Sequence, residues 1–224
     1  TNPFKCIACG KCAEVCPTLA IEMSGRCRST EELLAIIEKE RPFFDQSGGG
    51  VTFSDGEPLF YPEFLIEILE ACGNQGIHRA IDTSGYVKTE TLLNVAQYTE
   101  LFLYDLKMVD PEKHKRYTGV DNRLILENLK VLAGKGKDIQ VRIPLIGGVN
   151  DDKDSVVAAA AFVAGLPGEK RAVSLLPFHD VAQGKDVKLG HERDLGALYE
   201  PDQATLQRAI DVFFSYGLLA SVGG

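Results

Sequence analysis

From residue 48 onward, short runs rich in β-branched and aromatic residues alternate with amphipathic stretches of helical period, and each strand-like run ends in a polar or glycine-bearing turn. Val51-Thr52-Phe53 leads into a helix opened by Pro62, with Phe64, Leu65, Ile68 and Leu69 on one face. Arg79-Ala80-Ile81 precedes a helix around Leu92, Leu93 and Ala96. Leu101 to Tyr104 precedes one carrying Leu126, Leu129, Val131 and Leu132 as far as Gly134. Ile139 to Pro144 leads through Gly147-Gly148 to a helix capped near Asn150 or Asp151, and Val173 to Leu176 follows. A last helix from Pro201 buries Leu206, Ile210 and Phe213 or Phe214 before a terminal Leu218-to-Val222 strand. Five βα units and a closing strand predict an α/β fold with a parallel sheet, either doubly wound or rolled toward a barrel.

The polar residues favour the barrel. Glu57, Asp82 with Thr83, Asp105 with Lys107, and His179 all stand at the C-terminal ends of successive strands. In a β/α barrel those ends share one rim and converge on one pocket.

A second feature precedes the repeat. Cys6, Cys9, Cys12 and Cys16, followed by Pro17, have the C-x2-C-x2-C-x3-C-P spacing that holds a [4Fe–4S] cluster. Thiolates suit a soft iron–sulfur cube, whereas a zinc knuckle separates its cysteine pairs by a longer loop. Beyond the cysteines there is only a short apolar patch and a turn at Gly25, so residues 1–28 read as a small iron–sulfur segment and 29–224 as the barrel. Ser29 and Glu32 form a capping box, and Leu33, Leu34, Ile36 and Ile37 continue with helical spacing up to Arg41.

Charge excludes several partners. The 224 residues carry a formal charge of −8 without any basic cluster, which argues against nucleic acid. The longest apolar stretch, Val156 to Leu166, is too short to span a bilayer, and no signal peptide is visible, so no membrane partner is expected. Thiolates arranged for a cluster, with Cys27 and Cys72 isolated, fit a reducing, cytoplasmic setting. No Gly-x-Gly-x-x-Gly, Walker loop or Gly-x-Ser-x-Gly elbow is present, which leaves hydride transfer, phosphoryl transfer and serine hydrolysis without a signature.

The rim residues, taken singly, admit two readings. Ser47-Gly48-Gly49-Gly50 and Asp55-Gly56-Glu57-Pro58 flank a strand, as tight turns do, or let backbone approach a ligand with Glu57 facing its charged end. Asp105 and Lys107 face the same way in extended chain, as a local ion pair or as a grip on a zwitterion. Asp82-Thr83-Ser84 suits an Asx-type turn, ribose hydroxyls or a hard cation. His179 suits a satisfied polar residue or a stacking partner for a base, and His114 is a weaker candidate.

Together the cysteine run, Ser47-Gly-Gly-Gly-Val-Thr-Phe-Ser54, Gly56-Glu57-Pro58, Asp82-Thr83-Ser84-Gly85-Tyr86, Asp105-Leu106-Lys107, His114 with Tyr117-Thr118-Gly119, Arg142-Ile143-Pro144 and Leu175-Leu176-Pro177-Phe178-His179 occur in order. This set closely resembles the glycyl-radical-enzyme activating enzymes, radical S-adenosylmethionine proteins of the pyruvate formate-lyase activase type, especially those with a ferredoxin-like insert. The resemblance covers essentially the whole chain. It implies a partial (β/α)6 TIM-like barrel of the radical SAM type lacking its first strand, with a small ferredoxin-like iron–sulfur segment at the N-terminus. It also implies the chemistry: a reduced [4Fe–4S] cluster cleaves S-adenosylmethionine to methionine and a 5′-deoxyadenosyl radical. That radical takes a hydrogen from a glycine of a partner enzyme such as pyruvate formate-lyase. By resemblance, Gly56 and Glu57 hold the methionyl amino end, and Asp105, Leu106, Lys107 and His179 contact the rest of the cofactor. Asp82, Thr83 and Asp105 frame a monovalent cation, as in some relatives. Cys6, Cys9, Cys12 and Cys16 belong to the auxiliary insert, which relays electrons from a flavodoxin- or ferredoxin-type donor or orders the partner interface. In a paired ferredoxin unit Cys16 serves a neighbouring cluster, which gives the intact protein about two or three clusters.

The sequence departs from the family in two places. The Cys-x3-Cys-x2-Cys loop that binds the S-adenosylmethionine-cleaving cluster appears nowhere in these residues. In relatives it lies before the insert, so the expectation is a truncated start and a chain that alone does not cleave the cofactor. The usual Gly-Gly-Glu-Pro reads Asp55-Gly56-Glu57-Pro58. Two other readings compete: a non-catalytic iron–sulfur electron-transfer or docking protein derived from that family, and a barrel lyase or isomerase that uses Lys107 directly.

Overall fold

The computed structural model of the chain describes residues 6–23, 25, 27–54, 56–169, 172–179 and 198–223. Six parallel strands are hydrogen-bonded in strict chain order: β1 (Gly50–Phe53), β2 (His78–Thr83), β3 (Leu101–Asp105), β4 (Asp138–Leu145), β5 (Ala172–Pro177) and β6 (Leu219–Val222). A doubly wound sheet would reverse its strand order at a switch point, and this one does not. Among the described residues the sheet is singly wound and open at both edges, a partial barrel. All six strand runs anticipated from sequence are present.

Period-2 alternation divides the sheet into two unlike faces. Ile81, Phe102, Tyr104, Ile139, Val141, Ile143, Leu145, Val173 and Leu175 point outward and are buried. They meet Leu65, Ile68 and Leu69 of α4 (Pro62–Asn74), Leu92 of α5 (Thr89–Ala96), Leu129 and Leu132 of α7 (Arg123–Gly134), Val156 and Ala160 of α8 (Lys153–Ala164), and Phe213 of α9 (Gln203–Ser215) in one core. The opposite face carries Thr52, Asp82, Leu103, Asp105, Gln140, Arg142 and Ser221, half-buried or exposed. Parallel sheets normally bury both faces. A polar, unburied inner face is space for a ligand.

Local chemistry sets the helix ends. Both bonds of the Ser29/Glu32 capping box form at the start of α2 (Thr30–Ile37), with Glu32 N–H donating to Ser29 Oγ and Ser29 N–H to Glu32 Oε2. The helix does not run smoothly to Arg41: a 3-10 turn over Glu38–Glu40 intervenes, and α3 (Arg41–Ser47) restarts on Pro42, which has no N–H to continue the ladder. The Arg41 guanidinium ties Glu38 (2.6 and 2.8 Å) and the Gln75 carbonyl (3.1 Å). A separate α6 (Pro111–Thr118) precedes α7 and was not anticipated, because its residues are almost all polar. It is capped by Asp110 and stopped by Gly119, and its His114 is buried, bonded to Val120 O and Thr118 Oγ1. His114 is thus a satisfied core residue. Asn150 does not cap α8. It is buried, with its amide on the carbonyls of Lys107 and Pro144, and Asp152 is the cap. Of Phe213 and Phe214 it is Phe213 that is buried, while Phe64, expected on the apolar face of α4, lies outside the core.

Asp152 also clasps α6 to α8. Lys113 Nζ donates to Asp152 Oδ2 (2.8 Å) and to Ser155 Oγ (2.8 Å). Burial opposes ionisation of Asp152, but hydrogen bonds from Lys113 and Ser155 outweigh it and hold the carboxyl at about 2. A depressed carboxyl stabilises the fold above its unfolded pKa and loses that contribution as pH falls toward 2. Discounted for the pair's exposure, the group contributes about 1 kcal/mol. Asp152→Ala, which also removes the cap, is expected to lower stability by about 1.5 kcal/mol in urea titrations at pH 7, with the difference shrinking between pH 4 and 2.

Candidate functional site

The C-terminal strand ends gather the predicted residues into two adjoining networks. The first is tied by Glu57. Its Oε1 accepts from Thr83 Oγ1 (2.6 Å) and Leu59 N–H (3.3 Å), and its Oε2 from Ser84 N–H (3.0 Å) and Ser84 Oγ (2.6 Å). A carboxylate has about four acceptor sites, and these four donors fill them. Glu57 therefore fastens the turn after β1 to the turn after β2, and a ligand at this corner meets backbone rather than the free carboxylate that the sequence suggested. The pairing of Phe53 with Ile81 explains the meeting, since Glu57 and Ser84 then lie a similar distance beyond paired strand ends. Gly56, at φ +61 with open space where a Cβ would sit, supplies the left-handed turn. Gly50 differs, since a Cβ there would strike the His78 carbonyl, and so it serves strand pairing rather than a ligand. Asp55 lies outside the described residues.

The second network alternates in sign. Arg142 Nη1 donates to Asp82 Oδ2 (2.7 Å), Arg142 Nε stands 3.6 Å from Asp105 Oδ1, and Lys107 Nζ donates to Asp105 Oδ2 (3.0 Å). Burial pushes the Asp82 carboxyl up, Asp105 adds to that, and Arg142 opposes it. Asp105 Oδ1 and Arg142 Nε are buried without a hydrogen-bond partner. Orphaned buried polar atoms are rare in folded proteins. Here they face each other as an ion pair at 3.6 Å without a hydrogen bond, and a ligand hydroxyl that displaced this pairing would give each of them one. Below them on the same face, Gln140 Nε2 donates to Ser174 Oγ (2.7 Å).

Arg142 was not singled out as a site residue from sequence. Its signal was there in Ile139-Gln140-Val141-Arg142-Ile143, where polar residues alternate with apolar ones, and register sets it directly beside Asp105. The Leu106 side chain is in the core and its N–H donates to Arg142 O (2.8 Å), so any contact it makes with a ligand is through backbone. His179 is more than half exposed and stands apart from both networks, 3.2 Å from Glu200. Asp82, Thr83 and Asp105 form no ready cation site, since Asp82 is held by Arg142 and the Thr83 hydroxyl is turned to Glu57.

The cysteine segment stands outside the core. Around α1 (Lys11–Glu14), the thiols of Cys6, Cys9, Cys12 and Cys16 are free. Ala8 N–H donates to Cys6 Sγ (3.4 Å), and the Ile21 backbone and the Thr18 hydroxyl hold the Cys16 thiol below its usual range. Such bonds favour thiolate, so the donors suit an iron–sulfur cluster in kind. Among the described residues no three His, Cys, Asp or Glu side chains are grouped to hold a metal ion. Also among them, no helix is long and apolar enough to cross a membrane.

Known proteins fit this arrangement. The Radical SAM superfamily pattern matches residues 4–159. The choline trimethylamine-lyase activating enzyme of Oleidesulfovibrio alaskensis is 39% identical over 220 residues, covering 97% of this chain and 71% of that protein. The trans-4-hydroxy-L-proline dehydratase activating enzyme of Clostridioides difficile is 38% identical, covering 100% of this chain and 84% of that one. The crystal structure of a domain of pyruvate-formate lyase-activating enzyme from Bacteroides vulgatus superimposes with a TM-score of 0.68 at 41% identity, over 79% of this chain and 99% of that domain. The family is one that works with a [4Fe–4S] cluster and S-adenosylmethionine. The chain belongs to the radical SAM superfamily and, within it, to the glycyl-radical-enzyme activating enzymes.

Proposed function

We propose that the inner face of the sheet binds S-adenosylmethionine at its C-terminal rim, and that the full-length gene product installs a glycyl radical on a partner enzyme. The observation that carries this reading is the Asp82–Arg142–Asp105–Lys107 chain of alternating charge on the polar face of the sheet, whose central link, Arg142 Nε to Asp105 Oδ1, is an ion pair without a hydrogen bond. S-adenosylmethionine is zwitterionic at its methionyl end and carries ribose hydroxyls, which is the mixture those groups can satisfy. The backbone at Gly56 and Glu57 receives the amino end, Lys107 offers its charge to the carboxylate, and Asp105 with Arg142 receives a hydroxyl. His179, released from Glu200, is the residue this reading assigns to stack on the base. Bound together, reduced cluster and cofactor supply a radical able to take hydrogen from glycine. Residues 1–28 form the ferredoxin-like segment in this reading, and residues 29–224 the barrel. An external flavodoxin- or ferredoxin-type donor supplies the electron.

The test is direct. Lys107→Ala is expected to weaken S-adenosylmethionine binding at least tenfold by equilibrium dialysis, about 1.4 kcal/mol. Unchanged affinity would remove Lys107 from the site. The full-length gene product, reduced anaerobically with S-adenosylmethionine and a glycyl radical enzyme of its own organism, should give a glycyl-radical doublet by electron paramagnetic resonance. The 224-residue chain alone, which contains no Cys-x3-Cys-x2-Cys, should give no 5′-deoxyadenosine with dithionite.

A further inference from the structure

Three exposed aromatics occupy five residues immediately after the Glu57 corner: Phe60 is 62% exposed, Tyr61 75% and Phe64 40%. Isolated surface apolar residues are ordinary, but a contiguous aromatic group is a mark of recognition. Phe60 ends the 3-10 turn, Tyr61 is the non-helical residue before α4 and Phe64 lies in the first turn of α4, so the three are grouped along the chain at the start of that helix.

The segment is also rigid. Pro58 opens a 3-10 turn over Pro58–Phe60 and Pro62 opens α4. Leu59 is buried beneath, and its N–H is capped by Glu57. Phe60 N–H donates to Glu57 O (3.0 Å) and Leu65 N–H to Tyr61 O (2.9 Å). Aromatics held on a preorganised turn lose little freedom on binding, as residues that anchor protein interfaces do. Beyond the patch the exposed positions of α4 are acidic: Glu63, Glu67 and Glu70, with no basic residue anywhere in the helix.

We infer that Phe60, Tyr61 and Phe64, with the acidic stripe of α4, are the docking surface for the glycyl radical enzyme. That enzyme would present an apolar pocket flanked by lysine or arginine. The inference rests on the proposed function, which brings a second protein to this rim. Charge complementarity sets the partner's sign, and Phe60 lies three residues from the corner where cofactor is bound, so a protein seated here also reaches the inner face.

The experiment compares the full-length gene product with its Phe60→Ser/Tyr61→Ser and Glu63→Lys/Glu67→Lys variants, using the glycyl radical enzyme of its own organism that the wild-type protein activates. The aromatic variant is expected to weaken binding by biolayer interferometry at least tenfold and to lower glycyl-radical yield at limiting partner. S-adenosylmethionine affinity and partner-free 5′-deoxyadenosine formation stay unchanged. The charge variant is expected to slow association several-fold and to flatten its salt dependence. Wild-type affinity in both variants overturns the inference alone. A loss that instead affects self-association or binding of reduced flavodoxin overturns it and reassigns the surface. A wild-type protein that binds S-adenosylmethionine yet neither binds nor activates the enzyme overturns the proposed function, and this docking surface with it.

Discussion

Arg142→Met is expected to lower the unfolding free energy by about 3 kcal/mol at pH 7, because it leaves Asp82 and Asp105 facing each other in a partly buried site without their shared cation. For a domain of this size the melting temperature should fall by on the order of 10 °C. The pH dependence separates this loss from simple misfolding. Asp82 already has a raised carboxyl pKa, from burial first, and losing Arg142 raises it further. A raised carboxyl pKa makes the folded state bind more protons than the unfolded one, so stability declines as pH rises through the folded value. The deficit should be largest at neutral pH and narrow as pH falls toward Asp82 protonation. Urea titrations at pH 7 and pH 5 would decide it, and a deficit independent of pH would count against Asp82 as the stranded charge. Asp82→Asn in the same background should recover part of the loss.

Glu57→Gln is expected to cost about 2–3 kcal/mol and to weaken S-adenosylmethionine binding at least tenfold, although the substitution is nearly isosteric. Each carboxylate oxygen takes one hydroxyl, which can turn to accept, and one backbone N–H, which cannot, so whichever oxygen becomes an amide nitrogen then faces a donor it cannot satisfy. Retained stability with weakened binding would return Glu57 to direct ligand contact. Loss of both, in thermal melts and equilibrium dialysis on the same samples, supports its role as the tie that shapes the corner.

The strands were legible because each alternates or clusters β-branched residues between turn signals, as in Ile139-Gln140-Val141-Arg142. Helix α6 was not, because Pro111-Glu112-Lys113-His114-Lys115-Arg116-Tyr117-Thr118 carries no apolar stripe and is held by caps and by the Lys113–Asp152 clasp. The rim was legible as a set of positions, since strand ends can be read from sequence, but the partners of each side chain could not. Glu57 turned to Thr83 and Ser84, and Asp82 to Arg142, through register between strands distant in the chain. Phe64 shares the helical spacing of the buried Leu65, Ile68 and Leu69 yet is 40% exposed.

The strict order of the sheet bears on how such a molecule assembles and diversifies. Gly50 pairs with His78, Ala80 with Leu101, Leu101 with Asp138, Val141 with Val173 and Ala172 with Leu219, so every strand finds its partner in the next turn of chain. Interactions of this nearest-neighbour kind resemble those of a repeat array, in which folding can begin at one unit and propagate to the next. Growth is equally local. A further βα unit laid against either open edge would leave every existing register untouched, so this architecture can acquire new chemistry by accretion while the charged rim at its centre keeps its geometry.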